Sequence, residues 1–254
     1  MKKILSIFVF FLLLGVTTVN AQQDSGNLWI EANQFYEDGA YISAIDSYNK
    51  IVESGEVSED LYYNLANAYF KSDSVAKAII NYRRALNLDP TDEDIIYNLE
   101  IAKAKTVNKI DEVPTFFLQT WFKNFSSIFT SDAWAYISLA CFAFMLIFLA
   151  GYLLSNTAEK RKITFTLSVV SLVLFVVVLS NSISSKNSIE NSEEAVVVSS
   201  AISIKSSPNK NGKDLFILNE GVEVKTLDQM NGYTEIMLVN GNKGWILSSA
   251  IEVI

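Results

Sequence analysis

The segments Tyr-Tyr-Asn-Leu-Ala-Asn-Ala-Tyr-Phe at 62–70 and Arg-Arg-Ala-Leu-Asn-Leu-Asp-Pro at 83–90 decide the fold of the amino-terminal part of the chain. Residues of the same kinds recur 34 positions earlier at many of the positions in and around these segments. A fixed offset of this length is the sequence signature of a solenoid built from repeated units. The matching pairs are Leu28 with Tyr62, Trp29 with Tyr63, Asn33 with Asn67, Phe35 with Tyr69, Tyr36 with Phe70, Ala44 with Ala78, Tyr48 with Tyr82 and Ile51 with Ala85.

Each repeated unit has the pattern of two amphipathic helices joined by a tight turn. The turn is marked by Gly39 in the first unit and by Asp73-Ser74 in the second. Pro90 ends the second unit, and residues 92–104 supply a further helix of the first type. The sequence therefore predicts an all-α solenoid within residues 22–112.

This pattern resembles the tetratricopeptide repeat, a family whose first helices line a concave groove that binds peptides. The first unit departs from the family at Glu31, where leucine is usual, and it lacks a terminal proline, as expected of an outer unit that faces solvent. Asparagine side chains in such a groove pair with a ligand backbone, and aromatic rings add rigid contact area. The alternative is that some of these rings are buried between repeats. The groove residues that the resemblance implies are Trp29, Asn33, Tyr36, Tyr63, Asn67, Phe70 and Tyr97.

The predicted groove is acidic. Residues 22–112 contain eight basic and seventeen acidic side chains. No array of lysine and arginine is present to bind a ligand carboxylate, whereas Glu37, Asp60 and Asp94 lie near the groove in this register. The charge therefore favours an apolar or basic partner segment over an acidic one.

Two uncharged apolar runs, residues 133–154 and 163–183, are each long enough to cross about 30 Å of hydrocarbon. The mean hydropathy of the whole chain is positive, at +0.24, which agrees with a membrane protein. The intervening loop, residues 155–162, is too short for anything but a hairpin, and its basic cluster faces the cytoplasm by the positive-inside rule. That cluster is Lys160, Arg161 and Lys162.

Residues 1–21 have the pattern of a secretory signal peptide: Lys2 and Lys3, an apolar run at 4–16, and Val19-Asn20-Ala21 as the cleavage site. The alternative is an uncleaved anchor helix, for which the run is short. Export of this end and the basic loop indicate the same topology. We therefore expect a multi-pass protein of the bacterial inner membrane with both soluble domains in the periplasm.

Residues 114–131 precede the first apolar run and repeat aromatic residues at three- and four-residue steps. This spacing is typical of an amphipathic helix that lies in the membrane surface. Packing of the same face against a soluble core is the alternative.

The carboxyl-terminal part has the texture of a small β domain. A Ser- and Asn-rich linker is predicted at 184–193, and short β-branched runs broken by turns fill 194–254, with Asn240-Gly241 as the strongest hairpin signal. The segments Ile204-Lys205-Ser206-Ser207-Pro208, Leu218-Asn219-Glu220-Gly221 and Gly244-Trp245-Ile246 resemble the bacterial SH3-like (SH3b) domain. That resemblance implies a small all-β barrel that binds cell-wall peptides or proteins, with Trp245 as its candidate contact; the alternative is that Trp245 only packs within the fold.

The composition argues against catalysis and against nucleic-acid binding. The chain has no histidine, and its single cysteine, Cys141, lies inside an apolar run, so the usual nucleophilic pairs and metal-ligand clusters are missing. The formal net charge of −8 disfavours contact with phosphates. We expect no enzyme activity, no metal and no cofactor.

The order of these parts predicts a multi-domain membrane protein: an all-α tetratricopeptide solenoid, a two-helix transmembrane hairpin and a small all-β SH3-like barrel. This arrangement resembles the BatE-type proteins of the Bacteroides aerotolerance (Bat) family. The resemblance implies a membrane-anchored adaptor linked to aerotolerance or envelope stress, working beside von Willebrand A-type membrane proteins and a MoxR-type ATPase. The alternative is a protein that binds or senses peptidoglycan through the SH3-like domain.

Overall fold

A computed structural model of the chain describes residues 25–108, 110, 121, 125–190 and 192–254. The predicted signal peptide at 1–21 and most of the predicted amphipathic helix at 114–131 lie outside the described residues. The described chain folds into a set of short helices, a pair of long apolar helices and an antiparallel sheet.

The predicted helical repeats are confirmed. Gly39, with φ +76°, and Asp73, with φ +64°, make the tight turns of the two units at positions 34 residues apart, where glycine and aspartate tolerate the left-handed conformation. Ser58 and Asp92 each accept a hydrogen bond from a backbone N–H and so begin the helices that follow them. The helices are α1 (25–37), α2 (Tyr41–Glu53), α3 (Glu59–Lys71), α4 (Val75–Leu88) and α5 (Glu93–Ala104).

The helices pack through two small residues at equivalent positions. Ala44 in α2 and Ala78 in α4 are completely buried, and their lack of bulk lets each second helix approach the first helix of its unit. Tyr48 and Tyr82, one turn later, are also buried and fill the space beyond. This alternation of small and large residues gives the two units the same internal packing.

Two helices are long and apolar enough to cross a membrane, by length and composition: α6 (Ser131–Leu154) and α7 (Ala158–Glu190). They lie side by side and are joined by residues 155–157. Hydroxyl groups line the contact, since Ser168 donates to the Met145 carbonyl at 3.3 Å and Ser182 donates to the Ser131 carbonyl at 3.0 Å.

The second long helix is longer at both ends than the apolar run that predicted it. It begins at Ala158, so Lys160, Arg161 and Lys162 lie on the helix rather than in a loop. It also continues to Glu190, through most of the predicted linker at 184–193. Extending an existing helix costs far less than starting one, and serine-rich composition alone does not end it.

Seven strands form one antiparallel sheet, in the order β3-β2-β6-β5-β4-β1-β7. The strand pairing runs from β3 at one end to β7 at the other; this confirms an antiparallel sheet, and closure into the predicted barrel is not shown. The register of the β2–β3 pairing shifts between Ile204 and Lys205, and the Asn219 N–H donates to Asn108 Oδ1 at 2.8 Å. The strands are β1 (Glu194–Val197), β2 (Ala201–Lys205), β3 (Asp214–Asn219), β4 (Glu223–Met230), β5 (Tyr233–Met237), β6 (Lys243–Leu247) and β7 (Ile251–Val253).

Candidate peptide-binding groove and its junction with the sheet

The seven predicted groove residues lie on the first helices of the three units. Six of them are half-buried, and Tyr97 is 67% exposed. They are distributed as Trp29, Asn33 and Tyr36 on α1, Tyr63, Asn67 and Phe70 on α3, and Tyr97 on α5.

The two groove asparagines are held by tyrosines of the second helices. The Tyr48 hydroxyl donates to Asn33 Oδ1 at 2.5 Å, and the Tyr82 hydroxyl donates to Asn67 Oδ1 at 2.6 Å. Burial raises the pKa of Tyr48 to about 12 and raises the pKa of Tyr82 as well, so both hydroxyls keep their protons at neutral pH. With Oδ1 occupied, the amide nitrogen is the group that each asparagine can offer to a ligand carbonyl.

The groove rings serve packing as well as surface. Trp29 meets Tyr48 edge-on at 5.8 Å between ring centres, and Tyr36 meets Tyr41 at 5.4 Å. Tyr63 lies against Tyr82 at 6.0 Å in a tilted arrangement. Each ring is therefore fixed on one side by its own unit, which lowers the entropy that a ligand contact would cost.

Two residues of the third unit extend the groove beyond the predicted set. Asn98 Nδ2 donates to the Tyr63 hydroxyl at 2.8 Å, and Lys105 Nζ lies 4.4 Å from the centre of the Phe70 ring. Lys105 also pairs with Asp73 at 3.3 Å. Asn98 directly follows Tyr97 in the sequence and aligns with Asn64 in the 34-residue register, but no local pattern indicates that its amide reaches the neighbouring helix.

One edge of the groove is strongly acidic. Burial raises the pKa of Glu59 above its ordinary value, and the nearby Asp89, Asp60 and Asp92 raise it further. These carboxylates gather where α3 and α5 begin. A basic ligand group at this edge would relieve their mutual repulsion.

The sheet packs directly on the helical units, which the sequence did not predict. Val196 of β1 is completely buried within the core of α4 and α5, with Val198 and Ile254 against the same cluster. Gly221, with φ +85°, lies so close that a Cβ there would come within 2.6 Å of the Thr106 side chain and 3.3 Å of Ile79. The two parts are therefore in close van der Waals contact.

Ion pairs surround this junction. Arg84 Nη2 lies 3.2 Å from a Glu252 carboxylate oxygen, and Lys77 Nζ lies 2.5 Å from the other. Asn108 Oδ1 accepts hydrogen bonds from both the backbone and the side chain of Asn219, each at 2.8 Å. These contacts join residues more than a hundred positions apart, with the two long apolar helices between them in the chain.

A cleft of about 460 Å³ opens beside the junction. Arg83 forms its helical side, and the apolar part of its wall comes from Val224, Met237, Leu238 and Val239 of the sheet. Sequence reasoning missed this cleft because its walls come from segments that are far apart in the chain.

Trp245, the predicted contact of the β domain, is half-buried on β6 and lies opposite Lys205 of β2 and Glu235 of β5. This position is compatible with both packing and ligand contact. Over the described parts of the chain, no group of three histidine, cysteine or carboxylate side chains is arranged to hold a metal ion.

Residues 59–92 match the model of the tetratricopeptide repeat family. The match covers α3 and α4, the second of the two complete units. No curated protein matches the chain. The matched repeat indicates a scaffold for protein–protein interaction.

Proposed function

We propose that this protein is a membrane-anchored, non-enzymatic adaptor that binds an extended segment of a partner protein in the groove of α1, α3 and α5. The observation that carries the proposal is the repeated tyrosine–asparagine bond. It fixes the amides of Asn33 and Asn67 at equivalent positions of successive units. Two oriented donors, each beside an aromatic ring, suit the regularly spaced carbonyl groups of an extended peptide.

The partner segment is apolar or basic. The half-buried rings of the groove offer apolar contact area, and the acidic edge at Glu59 and Asp60 attracts lysine or arginine. Lys105 is engaged by Asp73 and by the Phe70 ring, which reduces its capacity to bind a carboxylate.

In this proposal α6 and α7 cross the inner membrane as a hairpin, with Lys160, Arg161 and Lys162 on the cytoplasmic side and the helical units and sheet in the periplasm. The packing of Val196 against the helical core supports an arrangement in which both flanking parts lie on one side, since they contact each other directly. An even number of crossings between them satisfies this requirement.

The partners that we propose are von Willebrand A-type membrane proteins acting with a MoxR-type ATPase, in a Bat-type complex linked to aerotolerance or envelope stress. This part rests on the order of the domains and its resemblance to BatE-type proteins. The second candidate is peptidoglycan binding through the carboxyl-terminal sheet, which the half-buried position of Trp245 on β6 leaves open to test.

Crosslinking in native membranes, followed by mass spectrometry, identifies the partner. The double variant Tyr63→Ala/Asn67→Ala should lose most of the crosslinked partner, because it removes one donor and one ring and so weakens the binding free energy by several kcal/mol. The protein should stay folded and inserted in the membrane. Trp245→Ala is the matched variant in the sheet and should leave the partner in place. The wall-binding candidate would replace the adaptor if the double variant still crosslinks to the partner. In that case Trp245→Ala should lose the crosslink and should no longer be recovered in a pull-down on purified peptidoglycan.

A further inference from the structure

A neutral hydrogen bond joins the first unit to the second. Asn49, on the second helix of the first unit, donates from Nδ2 to the hydroxyl of Tyr69 at 3.2 Å. Tyr69 lies on α3, the first helix of the next unit. This bond therefore connects α2 to the helix that follows it in the solenoid.

At the equivalent positions between the second and third units, on α4 and α5, the residues are cations. Thirty-four residues after Asn49 and Tyr69 stand Arg83, on α4, and Lys103, on α5. Both side chains are hydrogen-bond donors only, so they cannot bond to each other. Their like charges repel, and this repulsion is stronger in a partly buried site than in water.

A carboxylate from the sheet lies between these cations. Glu223 of β4 accepts from Arg83 Nε at 2.5 Å through one oxygen and pairs with Lys103 Nζ at 3.0 Å through the other. Burial raises the pKa of Glu223, but Arg83 and Lys103 together hold it below its ordinary value. The group is thus an anion at neutral pH, bridging α4 and α5 from outside the solenoid.

We propose that Glu223 is a positioning residue for the third unit of the groove, replacing the hydrogen bond that joins the first two units. Docking of the carboxyl-terminal sheet then holds α5 in place. The effect reaches the groove itself, because Asn98 of α5 donates to the Tyr63 hydroxyl. That the shape of the groove matters for partner binding rests on the proposed function; the positioning of α5 does not.

Hydrogen exchange of the full-length protein in detergent micelles tests this. Glu223→Gln keeps the shape of the side chain but removes the carboxylate that the two cations share, leaving Arg83 3.4 Å from Glu194 and Lys103 3.6 Å from Glu100. Removing the shared carboxylate breaks the bridge between α4 and α5 in a partly buried site, which is costly, so the backbone amides of α5 should exchange about tenfold faster or more. Exchange in α1 and α2 should not change. Glu235→Gln, on β5 of the same sheet, is the matched control and should leave α5 protected.

A graft of the first-unit pair makes the test specific. Arg83→Asn and Lys103→Tyr, added to Glu223→Gln, copy the Asn49–Tyr69 pair to the contact between α4 and α5. The exchange rates of the α5 amides should then return to within about threefold of those of the parent protein, since the neutral bond needs no carboxylate. Both grafted residues lie on helices, so the new bond itself needs no contact with the sheet.

Two results would overturn the proposal: unchanged exchange of α5 in Glu223→Gln, or no recovery of α5 in the graft. The readout needs no partner. If α5 loses its protection in Glu223→Gln and the partner still binds, the proposed groove is refuted and the role of Glu223 stands. If α5 stays protected in this variant and the partner no longer binds, the role of Glu223 is refuted and the proposed groove stands.

Discussion

The Tyr82 hydroxyl donates to Asn67 Oδ1 at 2.6 Å, and 34 residues earlier Tyr48 bonds to Asn33 in the same way. The repeat thus preserves a contact between two helices as well as a pattern of residues. Because each tyrosine lies on the second helix and each asparagine on the first, the bond fixes a groove side chain from the core of its own unit. Partner binding and repeat stability therefore share these groups.

Alkaline pH should weaken the helical units through Tyr48. Its pKa is raised to about 12 by burial, above the ordinary value of 10.0, so the folded state holds the proton more tightly than the unfolded state does. The resulting stability is fully present below pH 10 and is lost as the pH rises from about 10 to 12. Thermal unfolding followed by circular dichroism at pH 7 to 12 measures this. In Tyr48→Phe the loss over that window should be smaller; an equal loss would contradict the assignment.

The junction between sheet and helices should fail in Gly221→Ala. The substitution strains a backbone at φ +85° and brings a Cβ against Thr106 and Ile79. Gly241 also has a positive φ, +83°, but a Cβ added there would meet no neighbouring atom within 4 Å, so Gly241→Ala is the matched control for the strain alone. We expect both to cost about 1–3 kcal/mol in the sheet, but only Gly221→Ala to increase proteolysis between the sheet and α5. Equal cleavage of the two variants would show that the close approach is unimportant.

Removing a half-satisfied polar group should stabilise the protein. Asn81 on α4 is 3% exposed; its Nδ2 donates to the Lys77 carbonyl at 2.8 Å, while its buried Oδ1 has no partner among the described residues. Asn81→Leu replaces this group by a side chain of similar volume and should raise the free energy of unfolding by about 1 kcal/mol. Chemical denaturation in detergent measures the change. A fall instead of a rise would mean that Asn81 is satisfied in solution.

The close approach of the two helices in a unit should not tolerate bulk. Ala78 is completely buried, so Ala78→Trp overpacks the contact between α3 and α4 and should cost several kcal/mol. Circular dichroism should record lost helix, and partner crosslinking should fall with it. Ser72→Trp, which adds the same side chain at a half-buried position after α3, is the control and should lose less helix than Ala78→Trp. Unchanged melting of Ala78→Trp would mean that the repeat register is wrong.

The proposed topology gives a direct prediction with fusion reporters. A reporter that is active only outside the cytoplasm should work after Ile254 and after Asn108, but not near Lys160, because the basic cluster is retained on the cytoplasmic side. A reporter of the opposite requirement is the control at each site. Activity near Lys160 with silence at the other two sites would reverse the orientation.

The sequence by itself determined the elements whose causes are local. The 34-residue offset predicts the helical units, the left-handed turn at Asp73 follows from its alignment with the turn at Gly39, and apolar length predicts α6 and α7. Helix periodicity and uncharged length are read over one or two dozen neighbouring residues, so a single sequence contains them. The helical extension of α7 through 184–190 was missed because propensity is a weak guide where an existing helix simply continues.

Only the tertiary structure decided how these parts meet. The bridge from Arg83 to Glu223 joins residues 140 positions apart, and the burial of Val196 among helices depends on the sheet docking there. In the sequence Arg83 and Lys103 look like ordinary surface cations. Their partner is supplied by a strand that follows the two apolar helices, and a charge has no periodicity that would announce a distant carboxylate. The physical reason is that such a contact depends on where separate elements come to rest, which no local pattern encodes.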